Sequence, residues 1–179
     1  MPDLTLHELS VRGVYSFRTP PHSDARGDFT VLFSHQTWAQ HRLNPVVAQV
    51  NLVTNPQSLT LRGLHYQLAP LAEAKTVRCL SGAIYDVVLD IRHGSQTFGQ
   101  WCCVTLTHPH DVVYVPEGCA HGYLTLEPNT TVLYTVSKPY VPSVAHGVRW
   151  NDPSFAIKWP ATPHVIADRD ATYRDFFIN

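Results

Sequence analysis

Short runs in which apolar and polar residues alternate, each closed by turn-forming residues, dominate this chain, and helical stripes are rare. Residues 1–20 carry Leu4, Leu6, Val11, Val14 and Phe17 without a sustained helical period, which predicts an edge strand or an arm. A loop is expected at 20–24, after which Arg26-Gly27-Asp28-Phe29 leads into a brief apolar run ending at Phe33. Residues 34–43, with Trp38, Ala39 and His41-Arg42, predict one short helix. From 46 to 52 the even positions Val46, Ala48, Val50 and Leu52 are apolar, so Gln49 and Asn51 share the other face of a strand.

A proline-containing loop at 68–74 precedes strands expected at 76–80, 83–91, 101–106, 112–115, 119–126 and 131–137. Turn chemistry bounds them at Ser81-Gly82, His93-Gly94-Ser95, 107–111, Pro116-Glu117-Gly118 and Glu127-Pro128-Asn129. About eight short strands rich in Val, Tyr, Trp and Thr predict an all-β antiparallel sandwich or jelly roll. Beyond Pro139 the period is lost among Pro142, Pro153, Pro160 and Pro163, which predicts a tail wrapping the barrel through turns and short helical pieces. Trp150 and Trp159 would pin it. The pattern leaves open whether Asp168, Asp170, Tyr173 and Asp175 belong to a solvated end or return to the barrel mouth.

The stretch Leu61-Arg62-Gly63-Leu64-His65-Tyr66-Gln67 breaks the pattern by carrying polar chemistry through an apolar strand. In an ideal strand Arg62 and His65 point to opposite faces, unless Gly63 hosts a bulge that re-aims one of them. The heptapeptide therefore reads as a site.

With 179 residues, 44% hydrophobic, 15% charged and a formal net charge of −1, the chain is expected to be one soluble domain spanning 1–179. A near-neutral balance without a basic patch argues against nucleic acid or an acidic membrane surface as partner. Neither a secretory leader nor an apolar stretch of about twenty residues is present, so a cytoplasmic location is expected. Cys79, Cys102, Cys103 and Cys119 lack CxxC spacing and read as reduced packing residues, the adjacent pair pointing to opposite strand faces. Eleven histidines invite a metal, but the His-x-His pair common in metal-binding barrels is missing around His65 and His121, and His108-Pro109-His110 lies in a turn-like stretch. No metal is expected.

Several motifs now occur in order: Arg26-Gly27-x-Phe29, Gln49-x-Asn51, the heptapeptide 61–67, Lys75, Gly82-x-x-x-Asp86-Val87-x-x-Asp90-x-Arg92-x-Gly94-Ser95-x-Thr97-Phe98-Gly99 and Pro116-x-Gly118-x-Ala120-His121-Gly122. Tyr134, Tyr140 and Trp150-Asn151-Asp152-Pro153 continue them. Over residues 24–170 this set resembles the dTDP-4-dehydrorhamnose 3,5-epimerase family.

The resemblance implies a cupin jelly roll with short peripheral helices, a homodimer with exchanged N-terminal strands, no cofactor, and inversion of carbons beside the ketone of a nucleotide-diphospho-4-keto-6-deoxy sugar. Such inversion needs a base on one face, an acid on the other, and donors at the developing enolate oxygen. By that likeness His65 is the base, Tyr134 the acid and Asp170 the carboxylate that holds the histidine. Ala167-Asp168-Arg169-Asp170 replaces the usual Ser-x-Lys-Asp, which leaves Asp168 as the alternative partner. Lys75 and Arg62 match positions that hold the enolate oxygen or diphosphate, while Arg26, Phe29, Gln49, Asn51, His121 and Tyr140 match further sugar and nucleotide contacts.

Three departures fall on the nucleotide side. Val31 stands where an acidic residue is common, Pro139 where an aromatic precedes the Tyr140 match, and Ala145 where a glutamate is usual. The pattern fits action on another nucleotide, on a heptose, or at one carbon only. A non-catalytic nucleotide-sugar binding module and a metal-dependent cupin remain as the other classes. Retention of both His65 and Tyr134 speaks against the first, and the missing ligand pair against the second.

Overall fold

The computed structural model describes residues 4–176. Its strands in chain order are β1 (His7–Glu8), β2 (Tyr15–Arg18), β3 (His22–Asp24), β4 (Gly27–Phe29), β5 (Gln49–Asn55), β6 (Thr60–Gln67), β7 (Lys75–Ser81), β8 (Ile84–Asp90), β9 (Trp101–Leu106), β10 (Asp111–Val115), β11 (Cys119–Thr125), β12 (Thr130–Val136), β13 (Ala145–Gly147) and β14 (Val165–Ile166). Two short helices, α1 (His35–Gln40) and α2 (Asp168–Ala171), complete it. One sheet runs β1-β2-β10-β7-β12-β5 and the other β13-β6-β11-β8-β9, with β14 added in parallel to β6. Every other pairing is antiparallel. This is the jelly roll of the cupin fold.

Alternation within the strands decides where the core sits. Val77 and Cys79 of β7, Val113 and Val115 of β10 and Val132 of β12 meet Ile84, Val88, Cys102, Leu106 and Cys119 from the facing sheet. These side chains close one end of the barrel. Burial pushes the thiols of Cys102 and Cys119 up to about 12 and that of Cys79 to about 11, so they are inert packing groups. Cys102 and Cys103 point to opposite faces of β9 as expected, but Cys103 is exposed and so is not a packing residue.

Each sheet also has a covered outer face. Ser34 caps α1 by accepting the Thr37 amide at 3.3 Å, which sets Trp38 edge-on to Phe17 at 5.5 Å between ring centres. Around Trp38 gather Leu4, Leu43, Ala74, Val112 and Tyr114. The second sheet is covered by the tail, whose Val148 and Phe155 pack on Leu64, Val87, Leu89 and Ala120. Trp159 packs on Tyr85 of β8 with ring centres 6.0 Å apart and donates from Nε1 to the Trp150 carbonyl at 2.8 Å, so Trp159 pins the tail and Trp150 takes part through its backbone.

Some elements depart from the pattern-based expectation. The loop and lead-in around Pro20 to Phe29 form the β3–β4 hairpin, closed by Ser23 Oγ donating to Asp28 Oδ1 at 2.6 Å. All six of its strand residues are exposed, so no burial alternation could mark it. The tail yields β13 and β14, both made by backbone pairing to β6. In β5 the face carrying Asn51 and Asn55 points inward, leaving Val50 and Leu52 exposed at 61% and 63%, and Val46 just before the strand is exposed at 53%.

Candidate active site

The site begins with a bulge. The register places His65 opposite His121 but Arg62 opposite Tyr123, so β6 uses one residue more than β11 across the same span. Gly63 has φ +114°, and a β-carbon there would lie 2.6 Å from both Gly122 Cα and the His121 carbonyl oxygen. Only glycine permits that approach. Leu64 consequently joins the outer apolar cluster while Arg62 and His65 both face the cavity, which removes the divergence of an ideal strand.

The open half of the barrel is a cavity of two lobes, about 390 Å³ and about 500 Å³, that share His65, Lys75, Tyr134 and Arg169. Gln49, Asn51 and Tyr140 line the first lobe; Arg62, His121 and Asp170 line the second. Nine of the eleven residues named from the sequence thus meet in one space. Arg26 and Phe29 do not, because they ride on the β3–β4 hairpin, where Arg26 pairs with Asp24 and Phe29 is 66% exposed. Val31 also lies elsewhere, lining a small cavity with Leu4, Thr37 and Trp38.

The tail returns to the barrel mouth and brings a carboxylate with it. Asp170 Oδ1 lies 2.7 Å from His65 Nε2, and its Oδ2 accepts the Gly63 amide at 3.0 Å. Asp168, the alternative, is exposed, and its carbonyl accepts the Thr172 hydroxyl. Burial pushes the Asp170 carboxyl up, but the hydrogen bond and charge of His65, the Gly63 amide and Arg169 outweigh it and hold the group below its ordinary value. It is an anion at neutral pH. A second pair, His121 Nε2 to Asp86 Oδ2 at 2.8 Å, is buried directly beside the first.

From the other sheet come the phenol and the ammonium. Burial raises the Tyr134 pKa, Arg62 lowers it and Glu73 raises it again, with a net upward shift that keeps the phenol protonated. Lys75 Nζ donates to the His65 carbonyl at 3.1 Å and lies 3.2 Å from Glu73 Oε1. Burial pulls Lys75 down, against Glu73 and Asp86. Arg62 Nε donates to Asn55 Oδ1 at 2.8 Å, which fixes its fork at the second lobe. A histidine braced by a carboxylate on one wall and a phenol on the facing sheet can exchange protons with opposite faces of a bound molecule. The ammonium beside them can stabilise an anion formed between those steps.

Sequence reasoning missed three contributors. Arg169 lines both lobes and donates from Nε to Tyr173 Oη at 2.6 Å and from Nη1 to Tyr140 Oη at 3.2 Å. Its place beside Asp170 was the available signal. Tyr173 lies over Gly147, where a β-carbon would be 2.1 Å from its ring, and stands edge-on to His65 at 6.5 Å. Glu73 sat in a loop with nothing to mark it. Among the described residues no group of three or more His, Cys, Asp or Glu is arranged to hold a metal ion, and no helix is long and apolar enough to cross a membrane.

Comparison with known proteins agrees with this geometry. The family model described as dTDP-4-dehydrorhamnose 3,5-epimerase matches residues 8–177. A Mycobacterium tuberculosis protein of that name is 41% identical, covering 94% of this chain and 86% of its own. The dTDP-4-dehydrorhamnose 3-epimerase of Streptomyces niveus is 34% identical, covering 93% of this chain and 81% of its own. Among solved structures, the Legionella pneumophila dTDP-6-deoxy-D-glucose-3,5-epimerase in complex with dTDP-4-keto-L-rhamnose superposes with a TM-score of 0.87 at 30% identity, covering 94% of this chain and 90% of that one. The chain belongs to the dTDP-4-dehydrorhamnose 3,5-epimerase family.

Proposed function

We propose that the protein inverts carbon 3, carbon 5 or both of a nucleotide-diphospho-4-keto-6-deoxy sugar, most simply converting dTDP-4-dehydro-6-deoxy-D-glucose to dTDP-4-dehydro-L-rhamnose. The observation that carries this reading is the pairing of His65–Asp170 on β6 with Tyr134 on the opposed β12 around one cavity. His65 removes the proton that the ketone acidifies, and Asp170 fixes the ring and stabilises the imidazolium. Lys75 receives the charge that develops on the ketone oxygen. Tyr134 then delivers a proton to the other face. Arg62 and Arg169 suit the diphosphate, a dispersed anion that guanidinium groups bind well, while Gln49, Asn51, His121 and Tyr140 hold sugar and base. The step is redox-neutral and needs no cofactor.

A homodimer completes the reading. The outward apolar face of the edge strand β5 leaves Val50 and Leu52 exposed, with Val46 exposed just before it, and an exposed apolar edge strand is a pairing surface. The exposed β3–β4 hairpin would carry Arg26 and Phe29 to the cavity of the second copy. The free thiols Cys79, Cys102, Cys103 and Cys119 fit the reducing cytoplasm.

One-carbon inversion is the second reading, since a relative named for it, the Streptomyces niveus 3-epimerase, shares 34% identity with this chain. A panel of dTDP-, GDP- and CDP-linked 4-keto-6-deoxy sugars incubated in deuterated buffer tests both, with proton NMR following the signals of carbons 3 and 5. The expected result is deuterium uptake with the dTDP compound at one or both carbons. Uptake only with another nucleotide corrects the substrate. Binding of every compound without exchange would leave the binding-module class standing instead.

A further inference from the structure

Glu73 lies against the reacting groups and has no part in the chemistry above. Its side chain is about as buried as that of Lys75, with 8% exposure each, and its Oε1 is the carboxylate oxygen in contact with Nζ. The other oxygen, Oε2, is buried with no hydrogen-bond partner. A buried carboxyl with one of its two oxygens left unpartnered is costly, and packing alone does not account for it. The loop that presents it is fixed at both ends. Gln67 Nε2 donates to the Leu71 and Pro139 carbonyls at 3.0 and 3.2 Å, and Ala74 exchanges hydrogen bonds with Ser137 at 2.8 and 3.0 Å. Glu73 therefore stands in a set position at the floor of the first lobe, beside Lys75 and Tyr134.

We propose that Glu73 is a positioning residue whose carboxylate holds the Lys75 ammonium in place and keeps it charged inside the cavity. The need is physical: a lysine removed from water tends to lose its proton, and a neutral amine cannot stabilise an enolate. Of the carboxylates around Lys75, Glu73 is the one in contact with Nζ and acts on it most strongly, while Asp86 favours the ammonium through its charge alone. Asp86 on β8 is committed to His121 of β11 at 2.8 Å, and Asp170 on α2 to His65 of β6 at 2.7 Å. Arg62 on β6 and Arg169 on α2 share the lobe with Lys75 and oppose its charge. Tyr134 on β12 lies in the same field, so Glu73 also favours the protonated phenol. Removal of the carboxylate acts in one direction on both groups, toward proton loss at lower pH.

The chemical meaning of this inference rests on the epimerase reading, but its first test does not. The chain has three lysines, Lys75, Lys138 and Lys158, so lysine side-chain carbon and nitrogen NMR resolves each, and Lys75→Met assigns the signal. In the ligand-free protein, Glu73→Gln should lower the Lys75 titration by about 1–3 pH units, the range expected when an opposite charge at this distance is lost. Glu73→Asp, one methylene shorter, should lower it less. In the second test the alkaline limb of kcat/KM for epimerisation should move acidward in Glu73→Gln by a similar amount. A pair that served only packing would lower the melting temperature and leave both pH profiles in place. An unchanged Lys75 titration in Glu73→Gln and Glu73→Asp would overturn the proposal. Absence of epimerisation in the unsubstituted protein would count against the substrate reading alone, since the lysine titration decides the role of Glu73 by itself.

Discussion

Replacing Gly63 by alanine tests the bulge that aims Arg62 and His65 into one cavity. The new β-carbon would sit 2.6 Å from two backbone atoms of β11, neither of which is the free end of a side chain. Backbone must move. An L-residue at positive φ costs about 1–2 kcal/mol, and forced overpacking adds about 1–3 kcal/mol, so the variant should lose about 2–5 kcal/mol. For a chain of this size that is a fall in Tm of about 4–20 °C. Gly27→Ala separates the two contributions, because Gly27 has φ +120° and a β-carbon added there would meet nothing within 4 Å. It should lose only the dihedral part. Activity should suffer more than stability, since a shift of about 1 Å at His65 lowers kcat about 100-fold. Thermal melting by circular dichroism and steady-state epimerisation below the melting range measure both. If Gly63→Ala melts within about 2 °C of the parent and keeps its kcat, the close strand crossing does not aim these side chains and the account of the site is wrong.

Two further outcomes are expected. Asp90 is fully buried among Arg92, Ser95 and Thr97, and although burial pushes its carboxyl up, those donors win and hold it far below the ordinary value. Its stabilising contribution is therefore complete above about pH 4 and is lost as pH falls toward the folded-state value. Urea melts should show Asp90→Asn weaker than the parent at pH 7, with the gap narrowing at pH 3; a gap independent of pH would contradict the assignment. Exhaustive chelation should leave turnover unchanged, since no metal-ligand cluster exists among the described residues. Loss of activity that added zinc, iron or manganese restores would refute this.

The alternation of short strands made the barrel legible, and the conflict between Arg62 and His65 pointed at Gly63 from the residue order alone. What stayed hidden was set by contacts distant in sequence. Pattern alone could not say that the polar face of β5 would be the inner one, because inside and outside exchange when the core end of a barrel gives way to a cavity. The choice of Asp170 over Asp168 depended on how a short helix docks more than a hundred residues from His65. Tyr173 was visible only as part of an acidic tail, and its place over Gly147 follows from β13 pairing with β6. Arg26 and Phe29 carried a motif without a local structure that reaches the site in the same chain.

The most direct test of the account follows the carbon-bound hydrogens of the 4-keto sugar in deuterated buffer by proton NMR, with the parent, His65→Asn, Tyr134→Phe and Asp170→Asn. His65→Asn should abolish exchange at every carbon on which the parent acts, because without the base no enolate forms. Tyr134→Phe should still take up deuterium with retained configuration while inversion falls by orders of magnitude. Asp170→Asn should lie between them, since the imidazole keeps its place on β6 and loses the carboxylate 2.7 Å from Nε2. Should His65→Asn retain exchange while Tyr134→Phe loses exchange and inversion together, the roles assigned across the cavity are contradicted.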